Sequence, residues 1–143
     1  MSALELYRPL MRDHIAPRLR ELGFLGSGSN YRLPNPADHF AHLDFQRSRS
    51  NEAGECSFTA NVTFIKREDW PDGTWMGQRP TGGGEYPVPG LYSRIGAYMG
   101  VGDRWWTIHA EADLAPVADE VITAVRSGVL PELRAQIAAT TGG

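Results

Sequence analysis

HFAHLDFQRSRS, residues 39–50, and CSFTANVTFI, residues 56–65, carry the pattern on which the fold turns. In the first, Ala41, Leu43 and Phe45 are apolar, while His42, Asp44, Gln46 and Ser48 between them are polar. In the second, Cys56, Phe58, Ala60, Val62 and Phe64 alternate with Ser57, Thr59, Asn61 and Thr63. Successive side chains of a strand point to opposite faces, so each run predicts a half-buried strand. The segment SRSNEAGE between them holds a glycine and turn formers, which predicts an antiparallel hairpin. The two apolar faces must coincide, so odd positions of the first strand oppose even positions of the second. His42, Asp44 and Gln46 then neighbour Thr59, Asn61 and Thr63 on the other side of the sheet.

Working outward, residues 2–22 read as a helix. SALE is a capping box in which Ser2 accepts from the N–H of Glu5 and Glu5 reaches back. Leu4, Tyr7, Met11, Ile15 and Leu22 form an apolar stripe, and Gly23 is a natural stop. Pro17 predicts a kink or restart, because an interior proline removes a helical hydrogen bond. A short strand is expected near residues 30–33. Residues 68–90 hold four prolines, six glycines and two tryptophans and read as a long Gly/Pro/Trp loop. A second hairpin is expected from YSRIGAYM, a turn at GVGD, and RWWTIHAE. The chain then turns helical. Asp113 is the expected N-cap, Val117, Val121 and Val125 the buried stripe, Gly128 a break, and LPELRAQIAA a last helix. The expected fold is a single α+β domain over residues 1–143. Its antiparallel sheet has about five strands and is packed on one face by an N-terminal helix and C-terminal helices. Ile15, Phe45, Phe58, Val62 and Val121 are expected in one core.

Composition narrows the function classes. The chain has 143 residues, 41% of them hydrophobic and 22% charged, with a net charge of −3. These are values of a globular domain. No basic stripe appears, so nucleic acid is not an expected partner. No run approaches the ~20 apolar residues that span a bilayer, so no membrane partner is expected either. The start MSALELYRPLMRDHIAP lacks a basic segment followed by an apolar one, and the expected location is the cytoplasm. Cys56 is the only cysteine, so no internal disulfide is possible.

The chemistry-bearing residues argue against a catalytic centre. His39 and His42 are three apart and point opposite ways in a strand, and no His-Glu-x-x-His or paired cysteines occur. No metal and no cofactor are expected. Ser48, Asp44 and His42 share a face, but same-face neighbours on a strand sit ~7 Å apart, and a triad needs hydrogen-bond contact. No Gly-x-Ser-x-Gly elbow is present. TGGGE at 81–85 lacks the Gly-Lys-Ser/Thr of a phosphate loop. Cys56 falls on the apolar face as an inert core thiol. The polar face of the hairpin is either solvated, as antiparallel sheets allow, or the wall of a binding site. Trp105 and Trp106 cannot share a face. Trp106, in phase with Ile108 and Ala110, belongs in the core, and Trp105 belongs on the polar side near Arg94.

LRELGF, FQRS, FTANV, SRIG, RWW and VLPEL occur in this order, from Leu19 to Leu133. Together they resemble the uncharacterised bacterial family catalogued as domain of unknown function 4304. The resemblance implies an α+β domain with no assigned activity. Its recurring polar signature falls on Gln46, Arg47, Ser48, Asn61, Arg94, Trp105 and Trp106. The long loop at 68–90 departs from typical members.

Two functions from different classes follow. The first is a non-enzymatic binding domain for a protein partner. Trp70 and Trp75 on the loop and Arg47 and Arg49 at a hairpin tip would act as contacts, since aromatic and arginine residues dominate interface hot spots. Immunity or antitoxin-like neutralisation is one form of such binding, by analogy alone. The plain alternative is that these tryptophans fold back over the core. The second function is a small-ligand binder or enzyme using His42, Asp44, Gln46, Ser48 and Asn61 on the polar face, with Arg94 as an anion clamp. The first is the expected one.

Overall fold

The structure, a computed structural model, describes residues 2–35, 39–48, 54–66, 91–111 and 113–141. At its centre lie β3 (His39–Arg47) and β4 (Glu55–Lys66). They pair antiparallel with Leu43 opposite Val62, His42 opposite Thr63, Asp44 opposite Asn61 and Gln46 opposite Thr59. This is the register that matching the apolar faces requires. Outside β3 run β2 (Asn30–Arg32) and then β1 (Leu25–Ser27). The expected strand near residue 30 is therefore the second half of a small hairpin. β1 is exposed at all three residues and shows no alternation that could reveal it.

The far edge of β4 corrects a larger expectation. β5 (Leu91–Arg94) and β6 (Trp106–His109) do not pair as a hairpin. Both run antiparallel to β4 on the same edge, one beyond the other. Phe64 to Asn61 pair with Leu91 to Arg94, and Phe58 to Glu55 pair with Trp106 to His109. The edge is thus one strand line interrupted by residues 95–105, which include the helical turn α3 (Ile95–Tyr98). The Thr59 hydroxyl, at the gap, donates to the Arg104 carbonyl at 2.6 Å and ties the excursion down. Among the described residues the sheet has six strands, all paired antiparallel.

The helices lie on the apolar face, giving the α+β arrangement expected. The N-terminal helix is α1 (Ala3–Pro9), a π-helical turn (Leu10–Ile15) and α2 (Ala16–Glu21). Ser2 caps it, its hydroxyl accepting from the Glu5 N–H at 3.2 Å. The Glu5 carboxylate accepts from that same hydroxyl at 3.0 Å, not from the backbone N–H that a full capping box would use. The helix stops at Gly23, where the Phe24 N–H reaches the Leu19 carbonyl at 3.0 Å and the Gly23 N–H reaches Arg20 at 3.0 Å. This is the paired closure of a Schellman motif.

The kink or restart expected at Pro17 does not occur in its simple form. The chain widens instead of breaking at Pro17: the Ala16 N–H bonds back five residues to the Met11 carbonyl. The C-terminal helix repeats the device. α4 (Ala115–Ala124) passes through a π-helical turn (Val125–Val129) into α5 (Leu130–Thr141), and the Leu130 N–H bonds to the Val125 carbonyl. Each π-helical turn ends two residues before a proline, Pro17 or Pro131. A wider turn moves the carbonyl that would collide with the pyrrolidine ring and spares the missing donor. Gly128 lies inside the second turn and does not end the helix. A Cβ there would stand 2.5 Å from the Tyr98 carbonyl oxygen, so glycine lets the helix approach the α3 turn.

Asp113 behaves nearly as expected, its carboxylate accepting from the Ala115 N–H at 3.1 Å. Ile15, Phe45, Phe58, Val62 and Val121 all belong to one buried cluster. Phe58 sits at its middle, edge-on to Tyr7 at 5.6 Å and stacked near Trp106 at 5.8 Å. Among the described residues no helix is long and apolar enough to cross a membrane.

Candidate functional site

The opposite face of the sheet carries a row of polar residues set by strand register: Asn30 on β2, Asp44 on β3, Asn61 on β4 and Arg94 on β5. It is not a solvated face at its centre. His42, Thr59 and Asn61 have no exposed surface and Thr63 has 2%. Buried polar groups survive when hydrogen-bonded, and this row is. The Asn61 amide donates to Asp44 Oδ2 at 3.0 Å and to Gln46 Oε1 at 3.1 Å. Asp44 Oδ1 lies 3.7 Å from His42 Nδ1, an ion-pair distance when the ring is protonated but too long for a hydrogen bond. His42 and Asp44 thus approach more closely than strand rise alone suggests, because their side chains lean together.

At the edge of this row a second group assembles. The Arg94 guanidinium stands 5.2 Å over the Trp105 ring. Asp103 holds both: its carboxylate accepts from Trp105 Nε1 at 2.9 Å and pairs with Arg94 at 3.3 Å. Asp103 falls in the segment that the sequence reading treats as a bare turn, and its role was missed. A carboxylate two residues before an indole was the available signal. Trp105 is half-buried and Trp106 buried, as strand phase requires.

The remaining candidates divide. Arg47 is not on the polar face. It shares the phase of Phe45 and packs on the helix side, 5.3 Å over the Tyr7 ring. Ser48 follows β3 and continues the ladder, its N–H donating to the Ser57 carbonyl at 2.8 Å. Trp70, Trp75 and Arg49 lie outside the described residues. His39 points away from His42, its ring stacked on Phe64 at 4.9 Å. His109 has its Nδ1 3.9 Å from Glu55 Oε1 across the β4–β6 pair. Cys56 is buried in the core, and burial pushes its thiol above the ordinary range, so it is a poor nucleophile. Among the described residues no three His, Cys, Asp or Glu side chains are grouped to hold a metal.

Fold and site together define a class: helices on one face of an antiparallel sheet, and a buried, hydrogen-bonded polar row on the other. The family model described as a domain of unknown function (DUF4304) matches residues 15–135, and the chain belongs to that family. No curated protein and no solved structure matches it.

Proposed function

We propose that the protein is a cytoplasmic, non-enzymatic binding domain for a protein partner, and that the partner meets the surface around Arg94, Asp103 and Trp105. The supporting observation is the Arg94–Trp105 stack with Asp103 bonded to both. Aromatic and arginine side chains are the commonest interface anchors. Here they are held in place before any partner arrives, which lowers the entropy lost on binding. In the row beneath, the Asn61 amide ties β4 to Asp44 and Gln46 of β3, which suits a rigid support. Neutralisation of a partner, as immunity proteins do, is one form this binding takes.

The experiment is affinity co-purification with the intact chain, followed by calorimetric titration of the recovered protein. Trp105→Ala is expected to weaken binding by about 2 kcal/mol or more, the scale of an interface anchor, while costing only about 1 kcal/mol of stability. A partner bound equally well by wild type, Arg94→Ala and Trp105→Ala would end this reading. The burial of His42 beside Asp44 favours a second one, a small-ligand binder or enzyme on the polar face with Arg94 as anion clamp. Against it stands Asp103, already paired with Arg94, which an incoming anion would have to displace. Saturable binding of a small anion that is lost in Arg94→Ala and unaffected by Trp105→Ala would favour it.

A further inference from the structure

A second site lies between the N-terminal helix and the β1–β2 turn. There a cavity of about 350 Å³ opens on the surface, near the lower end of the range for small-ligand pockets. Arg8, Arg12 and Arg20 line one wall. They lie at four-residue spacings with Ala16 between them. In a pure α-helix such a row creeps round the axis by about 40° per step. The π-helical turn at Leu10–Ile15 uses more residues per turn and takes up part of that creep, so the three guanidiniums stay on one wall.

The facing wall is the turn at Ser27, Gly28 and Ser29. Gly28 has φ 59 and is followed by a residue of negative φ, as a type II′ hairpin turn requires. That turn brings two serines to the cavity wall. One is tethered loosely: Ser29 Oγ is 3.4 Å from the Tyr7 hydroxyl. Met11 and Ala16, both buried, make an apolar floor.

Charge on this side is poorly balanced. Arg12 pairs with Asp13 at 2.8 Å, but both side chains are largely exposed, 65% and 51%, so the pair is weak and easily exchanged. Arg20 bonds a neutral group, the Gly26 carbonyl, at 3.0 Å. Arg8 has no ion pair among the described residues. Arg47, over the Tyr7 ring, adds positive charge behind the cavity. The chain as a whole carries −3, so this concentration runs against the overall balance.

We infer that this cavity binds a small phosphate monoester, its phosphate held by Arg8, Arg12 and the serine turn and its organic body resting on Met11 and Ala16. Guanidinium forks match phosphate oxygens two at a time, and hydroxyls supply further donors. An apolar floor rewards an organic body that inorganic phosphate lacks. This inference stands independently of the protein-partner surface.

The probes are phenyl phosphate, inorganic phosphate and benzoate, titrated calorimetrically into the intact chain at low salt. Phenyl phosphate is expected to bind one to one and more tightly than either other probe. Arg8→Gln and Arg12→Gln each remove one charge-assisted contact and should weaken it about tenfold. Both residues are exposed, so these variants should fold, as circular dichroism will check. Ser29→Trp, at the turn position whose hydroxyl stands 3.4 Å from Tyr7 on the helix side, fills the mouth without changing charge and should abolish binding; circular dichroism checks its fold as well. The inference is overturned if phenyl phosphate shows no saturable binding. It is equally overturned if inorganic phosphate binds as tightly, or if Ser29→Trp leaves binding intact, since either result describes a diffuse anion-attracting surface and no cavity.

Discussion

Trp105 and Trp106 are neighbours with different duties. Trp106 is 2% exposed, stacked near Phe58, with Arg104 5.3 Å over its ring. Its Nε1 has no acceptor among the described residues, so what it contributes is packing. Trp106→Ala is expected to cost ~3–5 kcal/mol, the range for deleting a buried aromatic. Trp105→Ala removes a half-buried ring and one hydrogen bond to Asp103, and should cost about 1 kcal/mol. Urea titration of the two variants checks this. Equal losses would mean that Trp105 is core and that the Arg94 surface is not a separable site. Strand phase places both rings, and it also places Arg47 with Phe45. Arg47 ends β3 at the hairpin tip, and its phase turns it to the helix side, over Tyr7.

At the level of elements, the two long helices solve one problem twice. Each meets a proline by opening a π-helical turn two residues upstream. The second turn also brings the helix against α3, through Gly128. Two effects oppose each other at that glycine. Alanine gains about 1 kcal/mol of helix propensity over glycine. Its Cβ would meet the Tyr98 carbonyl oxygen at 2.5 Å, and forced overpacking costs ~1–3 kcal/mol. The obstacle is backbone, which yields less readily than a side-chain tip, so Gly128→Ala is expected to lower the melting temperature. A rise would show that the α3 turn moves aside freely. The interrupted edge line of β5 and β6 is a second element-level device. The excursion at residues 95–105 breaks this edge line into two four-residue strands, and short edge strands discourage pairing with another chain.

Across the whole molecule, one buried cluster joins both helical segments to the sheet, with Phe58 at its centre. Phe58→Ala should cost ~3–5 kcal/mol, a large fraction of a typical domain's stability. A loss under ~1 kcal/mol would contradict the packing described. The alkaline limb of stability should also be steep. Burial, with Glu132 nearby, pushes the Tyr98 hydroxyl up to about 12, and burial raises Tyr7, Tyr31 and Cys56 as well. Each group then keeps its proton longer in the folded than in the unfolded chain. Their contributions are complete below the unfolded values and fade as pH rises through the folded ones, for Tyr98 between about 10 and 12. The Tyr98 hydroxyl is buried with no hydrogen-bond partner among the described residues. Tyr98→Phe is therefore expected to be neutral or stabilising at pH 7 and to flatten the decline above pH 10. Denaturant titrations at pH 7, 9 and 11 measure both.

The alternation in residues 39–48 and 56–65 determined the central hairpin, its register and the two faces, because a period of two leaves only one way to join apolar sides. The Gly23 stop, the Ser2 cap and the opposed tryptophans are likewise local, settled by a few neighbouring residues. Burial of the polar row was not local. His42, Thr59, Asn61 and Thr63 read as solvent-facing by type, and only their burial in the tertiary structure, with Asn61 bonded to Asp44 and Gln46 and Thr59 to the Arg104 carbonyl, shows that they are interior. The in-line placement of β5 and β6 was equally hidden. Two short strands joined by a turn look alike whether they pair with each other or both follow a longer third strand. Only β4, twelve residues long and open along one edge, decides between them. Asp103 joins Arg94 to Trp105, and three arginines face a serine turn, because tertiary packing brings together groups whose separation along the chain carries no mark of their contact.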